Sequence, residues 1–323
     1  MFYRSLLKCM ALALGLLLLP AAQAADNDKP LEWVLGYPAG GGSDAVARVV
    51  SEEMAKVLKR PVVINNKPGA ATNIAADYVV RSKDFGNIIF SADFATLVAN
   101  PSLFSKLSYS AEKDLASVGL LARFPMILIV SNKVPAHNLK EFMAWAKANP
   151  NALSYASAGT GSAHHLTMEL FAERAGLKLS HVPYRGAAPA LTDMAGGQVP
   201  MMFIDTASGA QFIASGKVKA IGLASSARLA TMPELPTLAE QGLRGFEAYA
   251  WQGVAAPVGT SAESIKVLNS ALNAALNSTT VKARLQAMGV EGLPSTPEKM
   301  TSYAKSERER WGRLIKANHI TMD

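Results

Sequence analysis

From residue 31 to the C-terminus the chain alternates two rhythms: short runs of consecutive apolar residues, and longer stretches whose apolar residues recur every three or four positions. The first rhythm predicts strands and the second helices. A strand over 31–37 stops at Pro38 and three glycines. A helix follows from Asp44 to about Leu58, with Val46, Val49, Val50, Met54 and Val57 on one face. A second strand over 61–64 is closed by the turn-forming Asn65-Asn66-Lys67-Pro68-Gly69. A helix is expected over 73–81, strands over 88–91 and 126–130, and a strand over 153–156 that enters a Gly/Ser loop before a helix over 164–175. Further strands fall at 180–182, 201–204 and 220–224, and from Ser261 onward the pattern is nearly all helical. Strands alternating with helices through glycine-rich turns predict parallel α/β sheets. A length of 323 residues suits two globular domains. No low-complexity linker separates them, so the chain is expected to cross between domains on ordered strands.

The first 24 residues follow a different logic. Arg4 and Lys8 precede an apolar run from Met10 to Leu19, then the breaker Pro20 and the small-x-small sequence Ala22-Gln23-Ala24. That is the layout of a secretory signal peptide cleaved after Ala24, and the run is too short to span a bilayer alone. Cys9 lies ahead of the apolar run, so cleavage removes the one cysteine and leaves a mature chain with no disulfide. It also lowers the net charge from +7 to +5. Half of the residues are hydrophobic and 18% charged, which excludes disorder. The basic balance is not gathered into a Lys/Arg stripe, so nucleic acid is not an expected partner; a spread positive potential favours small anions. The expected location is a periplasm.

Two loops carry candidate chemistry. Gly40-Gly41-Gly42-Ser43-Asp44-Ala45 lies where a strand ends and a helix begins, so backbone N–H groups and the positive helix end converge as in anion sites. Gly40-x-Gly42-x-x-Ala45 fits a loose dinucleotide pattern. The acidic ribose partner expected about 20 residues on is replaced by Asn65 and Asn66, and no Gly-Lys-Ser/Thr follows for a Walker loop. The glycines could also serve a tight turn alone. The second loop, Ser157-Ala-Gly159-Thr160-Gly-Ser162-Ala-His164, again leads from strand to helix, with Ser162 placed to cap. No Gly-x-Ser-x-Gly elbow surrounds Ser157 or Ser162, and adjacent His164 and His165 point about 100° apart on a helix, unsuited to one metal. Two neutral, donor-rich helix starts with no positioned nucleophile describe recognition, with no catalytic residue, metal or cofactor expected.

In family order the chain carries Tyr37-Pro-Ala-Gly-Gly-Gly-Ser-Asp-Ala-Val-Ala-Arg48, Val63-Ile-Asn-Asn-Lys-Pro-Gly69 with Asn73-Ile74, and Leu97-Val-Ala-Asn-Pro-Ser-Leu103. Then come Tyr155-Ala-Ser-Ala-Gly-Thr-Gly-Ser162, His181-Val-Pro-Tyr-Arg-Gly186, Pro189-Ala-Leu191, Gly197-Gln-Val199, Pro233-Glu-Leu-Pro-Thr237, Glu240-Gln-Gly242 and Trp251-Gln-Gly253. On these motifs it resembles the tripartite tricarboxylate transporter substrate-binding proteins, the TctC or Bug-type periplasmic solute receptors. Ala70-Ala71-Thr72 departs from the glycine-rich run usual before Asn73.

The resemblance implies a type II-like periplasmic binding protein: a Venus-flytrap of two Rossmann-like α/β domains with the ligand in the cleft between them. Domain I would comprise 25–124 and 248–323, and domain II 125–247. A small carboxylate would be held by Tyr37, Ala39, Gly40, Gly41, Gly42, Ser43, Asp44 and Asn73 on one side. Ser157, Gly159, Thr160, Ser162, His164 and Asp205 would hold it on the other. Asp205 has a competing reading as a helix cap over Ser208 and Gly209, and His181 and Arg185 are assigned to structure. The partners implied are the carboxylate, a tricarboxylate, dicarboxylate, acidic amino acid or aromatic acid, and the permease subunits of the transporter, with the receptor itself monomeric. A different class, a periplasmic hydrolase of carboxylate esters using Ser162 and His164, would require a base held against its nucleophile.

Overall fold

The computed structural model describes residues 29–322; the leader and the cleavage point after Ala24 lie outside them. β1 (Leu31–Leu35) leads into α1 (Gly42–Leu58). The helix starts two residues ahead of the expected Asp44, which places that carboxylate in the first turn, beside the positive helix end. Val46, Val49, Val50 and Met54 are buried as the periodicity requires, while Val57 emerges at the last turn. β2 (Val62–Asn66), α2 (Asn73–Arg81), β3 (Ile88–Asp93) and the short α3 (Asn100–Leu103) follow, then β4 (Leu115–Ser131), α4 (Leu139–Ala148), β5 (Ser154–Ser157) and α5 (Ala163–Ala175). The chain continues through β6 (Ser180–Pro183), α6 (Ala187–Ala195), β7 (Met201–Asp205), α7 (Thr206–Ala214), β8 (Val218–Leu223) and β9 (Tyr249–Pro257). It ends with α8 (Ala262–Asn277), α9 (Thr279–Ala287), β10 (Glu291–Gly292) and α10 (Pro297–Ala317).

The strands lie in the order β2-β1-β3-β9-β4-β7-β5-β6, with β8 and β10 also paired to β4. The expected parallel pairing holds for β1 with β2 and β3, and for β5 with β6 and β7. It fails at the centre, where β3/β9, β4/β9, β4/β7 and β4/β8 are antiparallel. The reason is connectivity: β4 and β9 run side by side in opposite directions, and β9 enters next to β3 against its direction.

β4 is the link between the two halves of the sheet. It pairs with β9 from Leu115 to Pro125, and with β7 from Met126 onward. The apolar run at 126–130 is therefore only its second half. In the first half Ser117, Gly119 and Pro125 interrupt the apolar pattern, and register slips between Ser117 and Gly119 and between Leu120 and Ala122 absorb the irregularity as bulges. Proline, which has no N–H for a ladder, occupies the residue just before the change of partners.

Three apolar clusters hold the halves. One joins Trp33, Val50 and Leu121 to Leu272 of α8; another joins Ile129, Met194 and Met202. The largest runs from Val34 and Phe90 through Trp251 and Trp311 to Phe142, Phe171 and Phe203, passing from one half to the other. Its aromatic rings meet edge-on, Phe94 with Trp311 at 5.4 Å and Phe171 with Phe203 at 5.7 Å between centroids. The parallel strands β1, β3, β5 and β7 all end toward the middle of the molecule, the location at which open α/β sheets form their binding crevice.

Candidate functional site

The first wall of the crevice is the turn from β1 into α1. Gly40 has φ 85°, a left-handed conformation that a glycine adopts without strain. Its N–H donates to Asp44 Oδ2 at 3.0 Å. Arg48 donates to both oxygens of Asp44, at 2.8 and 2.9 Å, and Asn66 ties Asp44 Oδ1 to the Tyr37 carbonyl with bonds of 3.0 Å. Burial alone would raise the Asp44 carboxyl; Arg48, the Gly40 N–H and Asn66 outweigh it and hold it below its ordinary value. Asp44 and Arg48 therefore clamp the loop, with the Asp44 carboxylate taken up by Gly40, Arg48 and Asn66. No side chain caps α1. Its first intrahelical bond is donated by Ala45 to the Gly41 carbonyl, so the N–H groups of Gly42, Ser43 and Asp44 have no partner within the helix.

The floor beside this turn is polar. The Tyr37 hydroxyl donates to Asp93 at the end of β3, and Asp93 also accepts the Thr96 N–H at 2.9 Å. Burial raises the Asp93 carboxyl above its ordinary value, with these bonds offsetting it in part; burial and then Asp93 push the Tyr37 hydroxyl well up. Gln252 on β9 stands directly opposite Asp93 in the ladder and donates its amide N–H to Ser43 Oγ. Asn73 is not part of this group: its Oδ1 accepts Asn100 at 2.7 Å and Tyr109 at 3.0 Å in an internal network.

Ahead of Asn73, Ala70, Ala71 and Thr72 all have positive φ, at 46°, 50° and 75°. Such a left-handed turn is costly for non-glycine residues. Thr72 is fixed in it by packing on Gly36, where a Cβ would stand 2.7 Å from the threonine Cβ, and by a 2.7 Å bond with Thr96 Oγ1.

The opposite wall is the turn from β5 into α5. Ser162 caps the helix as expected, accepting the His165 N–H at 3.3 Å, and its hydroxyl donates to the Gly159 carbonyl at 2.7 Å. Ser157 is fully buried, 2.6 Å from His181 Nε2. His165 Nδ1 accepts the Gly161 N–H at 2.9 Å, and its ring stacks on His181 with centroids 3.8 Å apart. Burial, with His181 adding to it, lowers His165 to about 3, and burial lowers His181 to about 4, so this stack under the loop is neutral. His164 points away from its neighbour, as helical spacing demands, and sets Nε2 3.1 Å from Asp205 Oδ2. Asp205 Oδ1 accepts the Ser208 N–H at 2.9 Å, so this residue caps α7 and holds His164 at once. Burial would raise the Asp205 carboxyl, but His164 and Ser208 prevail and lower it. Ser162 and His164 are thus engaged with different partners and do not bond to each other. Arg185 is exposed, and His181 is held between Ser157 and His165.

The walls meet. A Cβ on Gly42 would lie 3.0 Å from Ala207 Cβ and 3.7 Å from Asp205 Oδ1. Thr206 Oγ1 donates to the Gly289 carbonyl at 2.7 Å, and a Cβ on Gly161 would strike Leu103. The structure thus brings Gly42, His164 and Asp205 together, sets Ser43 and Tyr37 on Gln252 and Asp93, and engages the side chains of Asp44, Asn73 and Ser157 with Arg48, Asn100 and His181. Sequence reasoning overlooked Asp93, Gln252 and Thr206 as crevice residues. Asp93 was legible as a carboxylate closing an apolar strand, and Gln252 as a lone polar side chain between Trp251 and Gly253 in an apolar run.

Two donor-rich helix starts facing each other from the halves of a mixed sheet define a periplasmic binding protein fold, a solute receptor. The chain belongs to the tripartite tricarboxylate transporter family receptors (TctC), which it matches over residues 46–320. This family is one of periplasmic solute-binding proteins. Among solved structures it resembles the periplasmic binding protein BugD, with TM-score 0.82 and 34% identity, covering 91% of this chain and 99% of that one. It is similar to MatC from Rhodopseudomonas palustris with bound malate, with TM-score 0.80 and 32% identity over 89% of this chain and 99% of MatC. It also resembles an R. palustris protein with adipate, with TM-score 0.84 and 28% identity over 89% and 96% of the two chains.

Proposed function

We propose that this protein captures a small carboxylate in the periplasm and delivers it to the membrane subunits of a tripartite tricarboxylate-type transporter, acting as a monomer after cleavage behind Ala24. The observation that carries the reading is the uncapped start of α1 lying at Gly42 against Asp205 and Ala207 of the other half, where Asp205 also holds His164 of α5, with no Lys or Arg in the loops before α1 and α5. Oriented N–H groups and helix ends favour an anion without a matching side-chain charge. On this reading the lobes are 25–124 with 248–323, and 125–247, and the change of partners along β4 at Pro125 and Met126 is in keeping with that division. The carboxylate-bound relatives are in keeping with this ligand class. Native mass spectrometry of the purified protein should reveal a co-purified organic anion, and calorimetry should return that anion unchanged with saturable binding. Turnover of an ester, or no affinity for any carboxylate, would overturn the reading.

A further inference from the structure

Gln252 is 3% exposed, and its amide N–H is spent on Ser43 at the start of α1, yet its Oε1 is buried with no hydrogen-bond partner among the described residues. Across the crevice, His164 Nδ1 is in the same condition. Gln252 Oε1 is therefore an unpaired buried acceptor beside the donors that suit a carboxylate. A buried acceptor left unmatched is costly, and a site built around one discriminates sharply against ligands that lack the complementary donor.

We infer that the ligand is a carboxylate bearing a hydroxyl or ammonium group next to its acid function, and that Gln252 is the residue that selects for that group. This rests on the receptor reading above. It comes from the unpaired Gln252 acceptor of this chain rather than from relatives, which bind acids with and without a hydroxyl. The test is calorimetry of ligand-stripped protein with matched acids: succinate against L-malate and L-aspartate, glutarate against 2-hydroxyglutarate and L-glutamate, propionate against lactate and alanine. In the best-bound set a substituted acid should bind at least tenfold tighter than its parent. Gln252→Leu should reduce that preference, read as the ratio of the two affinities, to within twofold. Parent acids binding as tightly as substituted ones in every set, or a preference that survives Gln252→Leu, would overturn the inference and leave the receptor reading intact. No binding by any acid would overturn both. The wild-type comparison decides the ligand class even where the variant does not fold.

Discussion

At Gly42 the missing side chain is what allows the walls to meet. With a Cβ there 3.0 Å from Ala207, Gly42→Val should hold the crevice open and weaken carboxylate binding by more than tenfold, with little change in melting temperature. Gly41, whose Cβ would meet only the Pro38 carbonyl at 3.7 Å, should accept alanine with most of its affinity kept. Calorimetry of the two variants side by side checks this. The buried histidines make a second claim. His165 and His181 are lowered from 6.5 to about 3 and 4, so below pH 6.5 the unfolded chain takes up protons that the native stack refuses. Stability is therefore complete above pH 6.5 and should fall on acidification toward pH 4, with a slope of up to two protons. Carboxylates lowered in the fold, such as Asp205, lose their contribution only at still lower pH. Urea unfolding of His181→Phe across this range should show a shallower slope than the wild type.

Among the elements, helix starts divide into capped and open. Among the described residues six helices begin at a Ser, Thr, Asn or Asp that accepts a backbone N–H of the first turn, α5 and α7 among them, whereas α1 begins at Gly41 with none. Ser162→Ala should cost about 1 kcal/mol by chemical denaturation, the usual worth of such a cap. The left-handed turn at 70–72 runs the other way, as a strained element. Ala71→Gly removes a Cβ from φ 50° and leaves the carbonyl that accepts Asn100 in place, so it should stabilise by about 0.5–1 kcal/mol. A rise in melting temperature would confirm it. Elements with clean periodicity were legible: the helix over 73–81 has the bounds expected, and most strands end within two residues of expectation. The first half of β4 was not, because a bulged strand paired on both sides has no single apolar rhythm.

For the molecule as a whole, contacts at Gly42–Ala207, Thr206–Gly289 and Leu103–Gly161 draw the halves together. The two walls can engage one carboxylate together only when drawn close, so binding should favour this state. Small-angle scattering should show the radius of gyration decreasing when ligand is added to stripped protein; an unchanged radius at saturation would exclude closure. Thr206→Val deletes a hydrogen bond that joins the two halves, and should weaken affinity two- to tenfold while leaving the melting temperature of the stripped protein nearly unchanged.

The sequence by itself determined the local pieces: the strand and helix rhythms, the two glycine-rich helix starts, the Ser162 cap, and a family likeness written in ordered motifs. These are legible because backbone conformation and capping depend on residues a few positions apart. Tertiary structure alone decided which polar residues share the crevice. Asp93 and Gln252 are 159 positions apart and become neighbours only because β9 returns antiparallel beside β3. Asp44 and Asn73, plausible from their loops, are turned instead toward Arg48 and Asn100. Strand pairing at long range, and the competition of buried partners for each polar side chain, are set by packing across the whole chain, and no short stretch of sequence contains them.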